Sequence, residues 1–188
     1  MPRAAPPDAP ARYVAFLRAI NVGGHVVKMD ALRSHFEALR FGNVETFIAS
    51  GNVIFDAPAR DAASLEQEIE QHLEAKLGYE VATFLRTPRE LAAIVAQQPF
   101  GADASGAVHT LSVGFVKQPP AAGAHAKLQS HASDVDAFRI VGREVFWLCR
   151  VRTSDSKFTG ARLEKLLAAP ATFRNVTTVR KLAAKYAL

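Results

Sequence analysis

A chain of 188 residues with 23 Lys+Arg against 18 Asp+Glu, a net charge of +5, suits one large or two small domains. At that length folding buries roughly 70% of the unfolded surface, so no metal or disulfide staple is needed, and a single cysteine, Cys149, excludes an intramolecular disulfide. No apolar run approaches the ~20 residues of a membrane span, and so mild a basic excess favours acidic partners without singling out nucleic acid.

Met1 to Ala11 holds Pro2, Pro6, Pro7 and Pro10 among small residues and no apolar h-region, which predicts a disordered tail over 1–11 rather than a signal peptide. A cytoplasmic chain that begins to fold near Arg12 is expected. Tyr13 to Ile20 reads as a strand buried on both faces, with Arg18 its only charge, running into a polar corner, Asn21-Val-Gly23-Gly24. Met29 to Arg40 places Leu32, Phe36 and Leu39 at helical spacing, with Gly42 as a left-handed stop. Val44–Ala49 and Asn52–Asp56 form a hairpin around Ser50-Gly51. From Ala62 to Leu77 the stripe Leu65, Ile69, Leu73 and Leu77 predicts a second helix, with Ser64 and Gln67 at capping-box spacing and Gly78 as its stop. Glu80 to Arg86 is then a strand. The order β-α-β-β-α-β is the ferredoxin-like pattern.

Thr87-Pro88-Arg89-Glu90 starts a helix that ends before Pro99, and Phe100 to Gly106 is a loop. Val108 to Lys117 alternates as a strand, and an alanine-rich helix runs from Pro119-Pro120 to about Ser130. Val135–Val141 and Glu144–Cys149 pair around Gly142-Arg143. A helix over Phe158–Leu167, an extended segment after Pro170 and a helix over Val176–Ala187 complete the chain. The second half echoes the first in element order, though not in residues. The expected fold is therefore α+β: two ferredoxin-like subdomains with mainly antiparallel sheets plus a C-terminal helix, divided as a tail (1–11), a first subdomain (12–86), a connecting helix and loop (87–107) and a second subdomain (108–188). Both faces of the Tyr13 strand are apolar, so the second half, or a second copy in a homodimer, is expected to cover the face its own helices leave.

Three places offer chemistry. At the N-terminal corner, Asn21, Gly23 and Gly24 can present backbone N–H groups to an anion while Arg18 supplies charge, with Ser50 and Asn52 on the hairpin as polar neighbours. The spacing fits neither a dinucleotide loop nor a P-loop. Near the C-terminus, Arg174, Thr178, Lys181 and Lys185 recur at helical spacing, with Asn175 as N-cap. Such a stripe either binds an anion or is a solvated face. Lys157, in Ser154-Asp155-Ser156-Lys157, precedes a helix and is either an electrophilic helper or an exposed neighbour of a cap. Like charges on Arg18, Lys157 and Arg174 predict that, with Asn21, they gather around an anion. Asp134 and Asp136 read as solvent-facing edge residues, and Cys149 as a small buried core residue. The six histidines show no ligand spacing, so no metal or other cofactor is expected. The stretch Ser50 to Phe55 lacks the basic residue and the first aromatic of an RNA-recognition sheet.

Tyr13 to Gly24 and Leu39 to Phe55 closely resemble the bacterial family catalogued as domain of unknown function 1697, and Ser156-Lys157-Phe158 and Thr172 to Leu182 look like its closing motifs. The resemblance covers Arg12 to Ala187. It implies an α+β protein without an established substrate and marks Arg18, Asn21, Gly23, Gly24, Ser50, Asn52, Lys157, Arg174, Asn175 and Lys181 as motif positions. Val176 departs from it, because the family typically carries Trp there.

Three functional readings stay open at this point: binding of a phosphorylated ligand, a nucleotide or nucleic-acid backbone; an enzyme for a small anionic substrate; and a self-associating structural module. No membrane partner is expected.

Overall fold

The computed structural model describes residues 10–101 and 108–186; most of the expected tail and of the loop after Phe100 lie outside them. The chain divides into two compact units, Met1–Pro88 and Arg89–Leu188. The first holds β1 (Pro10–Leu17), α1 (Met29–Ala38), β2 (Gly42–Thr46), β3 (Asn52–Pro58), α2 (Ala62–Leu77) and β4 (Thr83–Arg86). After α3 (Pro88–Ala96) the second holds β5 (Thr110–Phe115), α4 (Ala124–Gln129), β6 (Asp136–Val141), β7 (Glu144–Cys149), α5 (Gly160–Leu167), β8 (Thr172–Asn175) and α6 (Val176–Tyr186). Each forms a four-stranded antiparallel sheet, in the orders β2-β3-β1-β4 and β6-β7-β5-β8. These are one topology twice: two ferredoxin-like α+β units, the second extended by α6, which packs on β5 and β8.

The registers also expose a likeness that residue identity hides. In the first unit Val14 pairs with Ile54 and Arg86, and Phe16 with Asn52 and Phe84. In the second, Val113 pairs with Phe146 and Arg174, and Phe115 with Glu144 and Thr172. Val-x-Phe on the first strand, an arginine on the fourth and a buried polar residue opening the third therefore recur. The two halves do echo each other in residues, at positions only strand pairing reveals.

In the first unit Tyr13, Ala15 and Leu17 of β1 pack with Leu32 and Phe36 of α1 and with Leu65, Ile69 and Leu73 of α2. Val14 and Phe16, pointing the other way as strand alternation requires, are equally buried, so β1 is covered on both faces. In the second unit Phe138, Val145 and Trp147 pack with Leu128 of α4 and with Leu163 and Leu167 of α5. Gly114 of β5 is a fitted gap: a Cβ there would lie 2.8 Å from Cζ of Phe173, so the ring occupies the place of a side chain.

Several boundaries move for local reasons. Pro10 and Ala11, expected in the tail, pair with Pro58 and Ala57; a proline is tolerated as the first residue of a strand. The strand expected to reach Ile20 ends at Leu17, where Ala19 turns left-handed. The stop of α1 is Arg40 (φ 62) instead of Gly42: Arg40 N–H reaches Glu37 O at 2.8 Å and Phe41 N–H reaches Phe36 O at 3.4 Å, a Schellman motif with the Phe36–Phe41 ring contact that accompanies it. Asp61, in place of Ser64, caps α2 by accepting from Ser64 N–H at 3.1 Å. The tight turn at Ser50-Gly51 is a longer loop from Phe47, the Pro119–Ser130 helix shrinks to α4, and α5 starts after the cap Thr159. The strand expected over Glu80–Arg86 starts at Thr83.

Candidate functional site

In the first unit the polar corner is built by its own side chains. Asn21 (φ 56) accepts Val27 N–H on Oδ1 at 2.7 Å and donates from Nδ2 to Ala49 O at 3.2 Å, closing its own loop and clasping it to the β2–β3 loop. Asn52, fully buried, donates to Phe47 O at 3.0 Å and Ser50 Oγ at 2.8 Å. Arg18 is half-buried, its N–H bonded to Ala82 O at 2.9 Å. His25 stacks on Tyr79 with ring centroids 3.7 Å apart. Gly51 (φ 73) is required by space as well as by angle, because a Cβ there would meet Ile20 Cβ at 3.0 Å, whereas Gly23 and Gly24 stand open. Arg18, Asn21, Gly23, Gly24, Ser50 and Asn52 thus share one corner, with the asparagine amides spent on holding it.

In the second unit the basic stripe is broken. Arg174 lies in β8, outside the face of α6, and its Nη1 donates to Thr172 Oγ1 at 2.8 Å and to Phe173 O at 3.0 Å. Burial of the guanidinium lowers its pKa to about 10. Asn175 caps the helix start by accepting Thr177 N–H at 2.8 Å. Lys181 remains on the exposed side and Thr178 is half-buried.

The second unit also holds a pocket of about 570 Å³ lined by Ser130, His131, Asp134, Lys157, Phe158 and Arg162, among others. Beneath it lies a buried node. Asp136, expected to face solvent, is 2% exposed; its Oδ1 accepts Trp147 Nε1–H at 2.7 Å, and Ser156 Oγ lies 2.9 Å from both carboxylate oxygens. Ser156 also accepts Phe158 N–H at 2.9 Å, and Ser133 Oγ accepts Asp136 N–H at 3.1 Å, so both chain segments at the pocket are tied to Asp136, one through its carboxylate and one through its backbone. Lys157 is thereby held at the rim. Arg162 donates to Lys157 O at 3.0 Å and lies over the Phe158 ring at 4.7 Å, while His131 meets the same ring edge-on at 6.1 Å. Neither Lys157 nor Arg162 pairs with a carboxylate among the described residues.

Of the candidate residues Lys157 lines this pocket and Arg174 does not. Sequence reasoning missed Asp136, Trp147 and Arg162. The four-residue step from Phe158 to Arg162 was a readable signal, whereas the Asp136–Trp147 bond depends on the β6–β7 register, which spacing alone does not display. Cys149, on β7 beside Asp136, is fully buried; burial raises its pKa, against a bond to Val151 O at 3.2 Å. Among the described residues no three His, Cys, Asp or Glu side chains gather as metal ligands do, and no helix is long and apolar enough to cross a membrane.

A family model described as "Protein of unknown function (DUF1697)" matches residues 11–146. No curated protein matches the chain. Among solved structures it is similar to the conserved bacterial protein SP0830 from Streptococcus pneumoniae, at 24% identity and a TM-score of 0.71, over 96% of this chain and 100% of that one. At that identity the likeness is one of fold.

Proposed function

The chain belongs to this family of unknown function, and on that premise we propose that it binds a small phosphorylated ligand, a nucleotide above all, in the pocket of its second unit. The observation that carries the reading is the pair Lys157 and Arg162, two cations without a carboxylate partner on a pocket of about 570 Å³, within the ordinary range of ligand sites. Phosphate takes the two cations, as charge-assisted bonds favour. The Phe158 and His131 rings offer an apolar wall for a base, and the exposed Asp134 and Asp155 offer acceptors to hydroxyl or amino groups. Ser156 serves here as a strut, because its hydroxyl is engaged by Asp136 and Phe158 N–H.

Thermal shift and calorimetry with inorganic phosphate, AMP and ATP test this. A ligand that binds only the folded chain raises its melting temperature, and Lys157→Ala and Arg162→Ala should each weaken binding roughly tenfold, the scale of one charge-assisted hydrogen bond. No stabilisation by any of the three, or unchanged affinity in both variants, overturns the reading.

A further inference from the structure

The corner of the first unit combines features that a solvent-facing loop pair would normally avoid. Val22, Val26 and Ile48 are 58%, 85% and 53% exposed, well above the other exposed large aliphatics, Val108 and Val141 at 37% and 38%. Asn21 joins the loops that carry them through Val27 N–H and Ala49 O. Ile48 bears two costs at once: a β-branched residue at φ 51, where glycine or asparagine would be unstrained, and an apolar side chain left in water. Strain persisting at an exposed position points to a use for that side chain.

The charge of the corner indicates what that use is. Residues 13–29 and 46–52 contain no Asp or Glu, and they bring Arg18, His25 and Lys28; the next acids along the chain are Asp30 and Glu45. Lys28 is exposed. Gly23 and Gly24 stand in open space, with no atom beyond their chain neighbours within 4 Å of where a Cβ would stand. The most exposed side chains of the loop tips are aliphatic; of the two rings beside them, His25 is already stacked on Tyr79 and Phe47 is half-buried, so neither stands out as a platform for base stacking. Two copies meeting corner to corner would oppose cation to cation.

We infer that this corner is a peripheral docking surface for an anionic lipid bilayer, with Val22, Val26 and Ile48 entering the acyl boundary and Lys28 at the headgroups. This departs from the expectation of no membrane partner, which weighed spanning segments alone. Clasping by Asn21 and Asn52 presents the tips already ordered, so little entropy is lost on docking.

Flotation of the full chain with phosphatidylcholine vesicles containing about 30% phosphatidylglycerol, against pure phosphatidylcholine, tests this at low and high salt. The expected result is binding to the anionic vesicles alone, weakened by salt and about tenfold lower in Val26→Ser, Ile48→Asn and Lys28→Glu. Ile48→Asn should keep or raise the melting temperature, which separates lost docking from lost folding, and Lys157→Ala should float like the wild type. Absence of flotation overturns the proposal, as does equal binding to both vesicles. So does flotation unchanged in Val26→Ser and Ile48→Asn. The proposal equally fails if the same variants instead abolish a dimer in sedimentation or binding to a DNA duplex.

Discussion

The indole N–H of Trp147 donates to a carboxylate oxygen of Asp136 at 2.7 Å, and both residues are buried. Trp147→Phe would remove this donor and leave that oxygen to Ser156 Oγ, at a cost of about 1 kcal/mol for one lost hydrogen bond, on top of the packing lost with the smaller ring. A double-mutant cycle with Asp136→Asn, read by urea unfolding, should show coupling above about 0.5 kcal/mol. Additive single effects would mean that the bond contributes nothing to holding the pocket.

Glycine matters at unequal places. Arg40→Gly should stabilise by about 0.5–1 kcal/mol, because it removes the left-handed strain at φ 62 while keeping the Schellman bonds. Gly51→Ala should destabilise by about 2 kcal/mol or more, since its Cβ meets Ile20 Cβ at 3.0 Å in a backbone already at φ 73. Chemical denaturation measures both; like signs for the two variants would refute the assignment.

The space above Gly114 is filled by Phe173. Gly114→Ala should therefore cost about 1–3 kcal/mol through overpacking, and adding Phe173→Leu should cost less than it does in the wild-type background. Equal cost of Phe173→Leu in the two backgrounds, read by thermal unfolding, would show that the ring and the glycine are not coupled.

Acidification should loosen the first unit. His35 on α1 and His72 on α2 lie 5.5 Å apart; burial lowers the pKa of both, assisted for His35 by Lys76 and for His72 by His35 and then Lys76. His72 Nε2 is buried without a hydrogen-bond partner among the described residues. A depressed folded pKa means that the unfolded chain takes up protons first, so stability is whole above pH ~6.5 and falls as pH drops below it. His72→Gln should flatten that fall below about pH 6.5. Unfolding midpoints with the same pH slope in both proteins would contradict it.

Periodicity, glycine punctuation and strand alternation made the element order legible from residues alone, and with it the doubled ferredoxin-like pattern, because these signals are local: Leu65, Ile69 and Leu73 need only helical spacing to share a face. Lys157 was legible for the same reason, as a cation beside a helix start. The position of Arg174 was not, because a strand and a helix start meet at Asn175 and a spacing of four cannot say on which side of that junction a residue falls. Asp136 was misread since strand alternation gives a face without saying which face is covered, and only the register with β7 brings Trp147 to it. The corner divides likewise. Glycine and asparagine announced a turn, but that Asn21 would spend both ends of its amide on Val27 and Ala49 rests on a contact across 28 positions of chain, fixed by tertiary folding alone.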